Sequence, residues 1–236
     1  MKYLLALIFA SFALTTQATG AEINLIWNAE TYTPPFFLGH SAATPGSSVR
    51  VAALAPGAGA TSQLQFRWWR NGQFLTQASG TGRDVLTFTA DDNGESTITL
   101  RLNNTSGELL AEKTLTIPAS QPRLVIYENN PLTGISYSQA IGTGLTLAKP
   151  ELALLAEPYY FSRADVANKK LNYAWQLNSQ KLTTSADDGR AVTFGLPSEG
   201  GAGENTVTLS AESLSNLLQA AKRTFIIKFG GSSFNF

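Results

Sequence analysis

Acyl transfer by a serine needs a general base and an acid that orients it, and His40 is the one imidazole in the chain. It stands between Gly39 and Ser41 in a loop-like stretch with no nucleophile-elbow motif beside it. Paired carboxylates for glycoside hydrolysis can be drawn from Glu30, Glu108, Glu151 and Glu157, but with 17 acidic residues in the chain such pairs are nonspecific. Asp91, Asp92, Asn93 and Glu95 crowd oxygen ligands around Gly94, a set that suits Ca²⁺. The twelve-residue spacing of a calcium loop is absent, and these are ordinary turn residues; Asp187-Asp188-Gly189 reads the same way. Zero cysteines exclude disulfides, thiolate metal sites, thiol nucleophiles and a lipidated cysteine. No phosphate-binding glycine motif leads from a strand into a helix. The residues therefore predict no catalytic group, no cofactor and no metal.

Two aromatic runs remain as candidate partner contacts. One carries Tyr32, Phe36 and Phe37 within Tyr32-Thr33-Pro34-Pro35-Phe36-Phe37-Leu38; the other carries Tyr159, Tyr160 and Phe161 after Glu157-Pro158. Proline removes a ladder donor, so both runs are expected to cross sheet edges or connect sheets. Exposed, such rings would contact a protein or glycan, since rigid rings bury large area at small entropic cost. Packed inward, they would close the ends of the fold or fill a junction between modules.

Elements must position these residues, and composition bounds what the elements are. The chain has 236 residues, 43% hydrophobic and 14% charged, enough for one or two domains with real cores. Basic and acidic residues balance at 17 each, so no positive field exists for a phosphate backbone and no nucleic-acid partner is expected. Residues 1–21 read as a cleavable signal peptide: Lys2, an apolar stretch from Tyr3 to Leu14, then small residues with cleavage near Gly20 or Ala21. The apolar stretch is short for a span of about 20 residues, so membrane contact is expected only if this segment stays uncleaved. The mature chain is expected outside the cytoplasm, in the periplasm, at the cell surface or secreted.

After that leader the chain repeats itself. Phe66 to Gln73, FRWWRNGQ, matches Tyr173 to Gln180, YAWQLNSQ, pairing Phe66 with Tyr173, Trp68 with Trp175 and Asn71 with Asn178. Leu86-Thr87-Phe88 then matches Val192-Thr193-Phe194, Thr97-Ile98-Thr99-Leu100 matches Thr206-Val207-Thr208-Leu209, and Leu109-Leu110 matches Leu217-Leu218. A preserved order with small drifts predicts two copies of one module, at residues 22–118 and 119–229, followed by a flexible tail at 230–236. Within the repeat, Leu64, Phe66 and Trp68 alternate with Gln65, Arg67 and Trp69, the pattern of a half-buried strand. Asn71-Gly72 supplies a tight hairpin turn, with Asn178-Ser179 a weaker copy. Further strands are predicted at Ser48 to Leu54, Val85 to Thr89, Ser96 to Leu102 and Glu112 to Ile117. The best helical stretch, Ser213 to Lys222, aligns with Gly107 to Lys113 and so reads as a hairpin loop. The fold class is all-β: two tandem β-sandwiches after a signal peptide.

An aromatic-x-Trp strand followed by x-x-Asn-Gly resembles the core strand of immunoglobulin-like and PKD-like modules of exported bacterial proteins. There the Trp packs between the sheets, the place taken by Trp68 and Trp175 with Phe66 and Tyr173 beside them as core markers. The likeness covers about two thirds of each copy; the acidic run after the Trp in PKD modules and the cysteine pair of antibody domains are both missing. The resemblance implies a noncatalytic binding, adhesion or spacer module whose partner is an envelope protein or glycan. Size, export and tandem folding also resemble the two-domain chaperones of pilus assembly, which use a basic pair in the interdomain cleft; Arg50, Arg67 and Lys222 are candidates for it by charge alone. An exported hydrolase is the third reading.

Overall fold

The structure is a computed structural model that describes residues 21–92, 94–147, 149–184, 188–195 and 202–230. Residues 1–20 of the expected signal segment, Asn93, Asp187 and the tail beyond Gly230 lie outside the described residues. The chain begins with β1 (Asn24–Ala29), β2 (Ser48–Leu54), β3 (Gln65–Arg70), β4 (Gln73–Phe74) and β5 (Gly80–Thr81). It continues through β6 (Val85–Thr89), β7 (Ser96–Asn103) and β8 (Leu109–Ile117). These strands form two sheets, β1-β2-β6 and β4-β3-β7-β8, with β5 also on β3. The chain then runs through β9 (Arg123–Asn130), β10 (Gly134–Ala140), β11 (Gly144–Leu147), β12 (Glu151–Tyr159), β13 (Leu171–Leu177) and β14 (Gln180–Lys181). It ends with β15 (Ala191–Gly195), β16 (Gly203–Ser213) and β17 (Ala220–Phe229). Their sheets are ordered β10-β9-β12-β15 and β11-β17-β16-β13-β14. In both halves the chain crosses to the other sheet at β3 or β13, returns at β6 or β15 and crosses again into the last hairpin, β7-β8 or β16-β17, the crossing pattern of an immunoglobulin-like sandwich.

Alternation explains which faces meet. In β3 the inward residues Phe66 and Trp68 are buried while Gln65 and Arg67 are exposed. In β7, Ile98, Leu100 and Leu102 are fully buried across from them. Val49, Val51 and Leu86 close this core from the other sheet. The second core repeats the plan with Trp175, Val207 and Leu209 against Leu124, Leu154 and Val192; Tyr173 is partly buried at its margin. Both indoles have 0% exposure, and both satisfy the one polar atom they carry: Trp68 Nε1 donates to Arg83 O at 2.9 Å and Trp175 Nε1 to Gly189 O at 3.0 Å. A buried indole N–H needs such a partner, which fixes the ring's orientation as well as its depth.

The hairpin after each Trp strand is also duplicated. Asn71 and Gly72 have φ of 50° and 78°, and Asn178 and Ser179 have 48° and 72°, so both turns are of the left-handed two-residue type. In each turn the Asn side chain accepts from the backbone of the next long strand, Asn71 Oδ1 from Thr97 N and Asn178 Oδ1 from Thr206 N, both at 2.9 Å. These bonds hold the turn against the sheet beside it.

Three local features differ from the sequence reading. The chain's helix among the described residues is α1 (Arg163–Ala167), a single turn capped by Ser162 Oγ accepting from Asp165 N at 3.3 Å. Leu217 and Leu218 lie in the β16–β17 loop, whereas Leu109 and Leu110 begin β8, because the two hairpin loops differ in length. Pro158 lies within β12, between β9 and β15 in the sheet. The proline is tolerated because β15 pairs β12 only as far as Leu155, so beyond that point one side of the strand has no ladder to break.

Candidate functional site

The two aromatic runs meet each other. Thr31 bridges to Ser162, Tyr32 N donates to Phe161 O at 2.7 Å, and Tyr160 N donates to Tyr32 O at 2.7 Å. The first run thus forms a short strand-like contact with the end of β12, and its rings fold over that contact. Phe36 lies 3.7 Å from Tyr137 between ring centroids, and Phe37 packs edge-on against Tyr159 at 5.4 Å. Tyr127, Tyr159 and Tyr160 are buried in this cluster, and Phe161 is buried in the core of the second module. The sequence offered Tyr32, Phe36, Phe37, Tyr159, Tyr160 and Phe161 as contacts for an outside partner. Of the two orientations the sequence left open, the rings of Phe36, Phe37, Tyr159 and Tyr160 pack together where the first run meets the second module, and Phe161 packs into the core of its own module. Phe36, at 36% exposure, keeps an edge in solvent, and Leu38 is fully exposed.

Polar groups reinforce the junction. Thr44, Gln219 and Thr31 have 0% exposure. Gln219 Nε2 donates to Thr44 Oγ1 at 3.0 Å while its Oε1 accepts from Ser162 N at 2.7 Å. Thr44 Oγ1 donates to Tyr160 O at 2.9 Å, and Asn216 Nδ2 donates to Pro45 O at 3.0 Å. Sequence reasoning passed over all four residues. No periodicity singles out a loop Gln or Thr, and only a fold that buries the loop reveals that its amide must be paired.

A carboxylate network lies beside them. Glu157, 3% exposed, accepts from Tyr32 OH at 2.9 Å and from Tyr137 OH at 3.2 Å, with Arg190 3.8 Å away. Arg190 is held by Asp188, its Nε donating to Asp188 Oδ2 at 2.6 Å. Burial alone would raise the Asp188 carboxyl; the Arg190 N–H and guanidinium outweigh it and hold the group below its ordinary range. Burial, then the charge of Glu157 and the bond to it, pushes Tyr137 up to about 12. Burial first and Glu157 second push Tyr32 above the phenol range, and burial with the Tyr127 hydrogen bond does the same to Tyr159. Both oxygens of Glu157 are occupied and the phenols hold their protons, so the network ties surfaces together rather than moving protons near neutral pH.

The remaining sequence candidates stand apart. His40 is exposed, its Nδ1 2.7 Å from Ser41 O and its ring 4.4 Å from Trp27. Asp91 is ion-paired to Arg70 at 2.6 Å. Among the described residues no group of three His, Cys, Asp or Glu side chains is placed to hold a metal. Glu151 opens β12, the strand that carries Glu157, and Glu30 lies two residues before Tyr32, but among the described residues none of Glu30, Glu108 and Glu151 shares a hydrogen bond or ion pair with Glu157. Of the basic candidates, Arg50 is on β2 and Arg67 on β3, in different sheets. Lys222 lines a cavity of about 260 Å³ with Arg123 and Arg223, and Arg123 lies over the rings of Tyr159 and Tyr160 at the junction. No described helix is long and apolar enough to cross a membrane.

No protein-family model matches the chain, and no curated protein matches it in sequence. Among solved structures it is similar to the fibronectin(III)-like modules of Clostridium thermocellum CbhA, with 8% identity, 89% of this chain and 97% of that one covered, and a TM-score of 0.30. It is also similar to Bacteroides ovatus SGBP-B in complex with a mixed-linkage heptasaccharide, at 10% identity, 88% and 48% coverage and a TM-score of 0.27. An ectodomain fragment of ICAM-5 gives 16%, 88%, 53% and 0.30. The chain spans about half the length of the latter two. Likenesses of this strength carry no weight for what the chain binds; the sheet order and the buried Trp strands are what define the fold. By those features the chain is a tandem of two immunoglobulin-like β-sandwiches.

Proposed function

We propose that this protein is an exported, noncatalytic binding module in which two sandwiches, spanning residues 22–118 and 119–229, act as one stiff unit that presents a surface to an envelope protein or glycan. The junction carries the reading. A flexible spacer needs no buried hydrogen bonds between its modules, whereas here Thr44, Gln219 and Glu157 are buried and paired across the boundary. Buried polar groups of this kind hold one geometry, since any other leaves them unsatisfied. Tyr159, Tyr160 and Phe161 are buried, so this reading gives recognition to the outer faces.

A second reading, a periplasmic assembly factor resembling the pilus chaperones, is favoured by one observation: Arg123, Lys222 and Arg223 line a single cavity beside the junction.

The test is expression of the full chain in an export-competent host. The expected product is processed near Gly20 or Ala21 and found outside the cytoplasm. It retains envelope material and turns over none of a panel of glycans, esters and peptides. Cytoplasmic retention of the unprocessed chain, or turnover by the folded protein, would overturn the reading. Loss of envelope retention in Lys222→Ala alone would move it to the assembly factor.

A further inference from the structure

The outer face of the first module carries side chains that the second module lacks. Phe74, Trp69, Thr99 and Thr114 form one row across β4, β3, β7 and β8. Arg67, Arg101 and Glu112 form the next. The Trp69 and Phe74 rings are 5.0 Å apart, and Phe74 is 38% exposed. The Arg67 guanidinium stands 5.6 Å from the Trp69 ring and 5.4 Å from Phe74, with Arg101 at 5.1 Å from Trp69. Arg101 is ion-paired with Glu112, whereas Arg67 forms no ion pair among the described residues.

The duplication serves as an internal control. At the same register positions the second module holds Lys181, Gln176, Thr208 and Thr224 in one row and Ala174, Ser210 and Lys222 in the other. The threonine pair recurs, its Oγ1 atoms 3.0 Å apart in the first module and 3.3 Å in the second, so the positions truly correspond. A sheet of the same order therefore stands without the two rings and the two guanidiniums. Their presence on one copy answers to something other than the fold.

We propose that this face binds a carboxylated saccharide of the uronic-acid class. Flat rings take the C–H face of a sugar, the Arg67 guanidinium, set against both rings and in no ion pair among the described residues, offers a forked donor set that matches a carboxylate, and the Thr99 and Thr114 hydroxyls suit ring hydroxyls. Arg67 and Arg101 against the single Glu112 leave the patch positive, which complements an acidic ligand. An acidic peptide fits less well: Trp69, Arg67 and Arg101 stand on the outer face of β3 and β7, interior strands, so a ligand meets them across the face and not by pairing its backbone with a sheet edge. This deepens the binding reading above and rests on it.

The experiment is calorimetric titration of the whole mature protein with an oligogalacturonate, a neutral oligosaccharide of equal length, and polyglutamate. The oligogalacturonate is expected to bind, more weakly as salt rises. Arg67→Gln and Trp69→Ala should each weaken it about tenfold or more, while Lys181→Ala in the second module leaves it unchanged. Arg67→Gln keeps both rings, so it remains informative if Trp69→Ala folds poorly. No binding, equal affinity for the neutral sugar, preference for polyglutamate, or full affinity in Arg67→Gln would each overturn the proposal. Envelope material retained equally by wild type and Arg67→Gln would remove this site and leave the binding reading standing.

Discussion

Gln219 and Thr44 are 175 residues apart in sequence and share a 3.0 Å hydrogen bond between two fully buried side chains, one in each module. The same Gln219 amide also takes the N–H of Ser162. Shortening it to alanine takes the partner from the part-buried Ser162 N–H, while the Thr44 hydroxyl keeps its bond to Tyr160 O and the Pro45 carbonyl keeps its bond from Asn216. An unsatisfied buried group costs about 1–3 kcal/mol. Gln219→Ala is expected to lower the urea midpoint and to broaden the interparticle-free distance distribution from small-angle scattering, as the modules begin to move independently. An unchanged scattering profile with lowered stability would assign Gln219 to the second module alone.

Trp175 is the second module's one indole; Trp27, Trp68 and Trp69 all belong to the first. Trp175→Ala should destabilise its module by about 3–5 kcal/mol, and the remaining tryptophan fluorescence then reports only on the first. With the junction coupling the two, the first module's midpoint is expected to fall as well. An unmoved fluorescence midpoint would mean the modules unfold independently.

At alkaline pH the junction phenols set the trend. Tyr137 is raised from its ordinary value of 10.0 to about 12 in the folded state, so the unfolded chain releases that proton first. Its contribution is fully present below the unfolded value and is lost as pH climbs toward the folded one. Denaturant melts taken from pH ~9 to ~12 should show falling stability, and Tyr137→Phe should flatten part of the slope. A variant slope as steep as the wild type's would place the alkaline sensitivity elsewhere.

Ser179 holds a φ of 72° where its counterpart in the first module is Gly72 at 78°. A non-glycine residue in the left-handed region costs on the order of 1 kcal/mol. Ser179→Gly is therefore expected to stabilise the second module by about that amount, read as a higher midpoint in a Trp175-monitored melt of a chain whose other indoles are phenylalanine. A lower midpoint would show that the Ser179 side chain contributes a contact outweighing the backbone strain.

Much of the architecture was legible because strands announce themselves locally. The alternation through Phe66 and Trp68, the Asn-Gly turn and the repeat of both around Trp175 need only a few neighbouring residues to be read. Strand bounds at Ser48–Leu54 and Val85–Thr89 agree with β2 and β6 for that reason. The outer-face difference was also in the string, FRWWR against YAWQL, but it has meaning only once register shows that Trp69 and Gln176 face outward at equivalent points.

The order of residues alone determined that this chain is all-β, that it is built twice, and that two tryptophans anchor the copies, since periodicity and turn chemistry act over a handful of positions. Tertiary structure alone decided where the aromatic runs face, that Gln219 and Thr44 meet, and that Glu157 is shared by Tyr32 and Tyr137. Those pairings join residues more than a hundred positions apart, or depend on which surface ends up covered, and burial is a property of the assembled chain rather than of any segment in it.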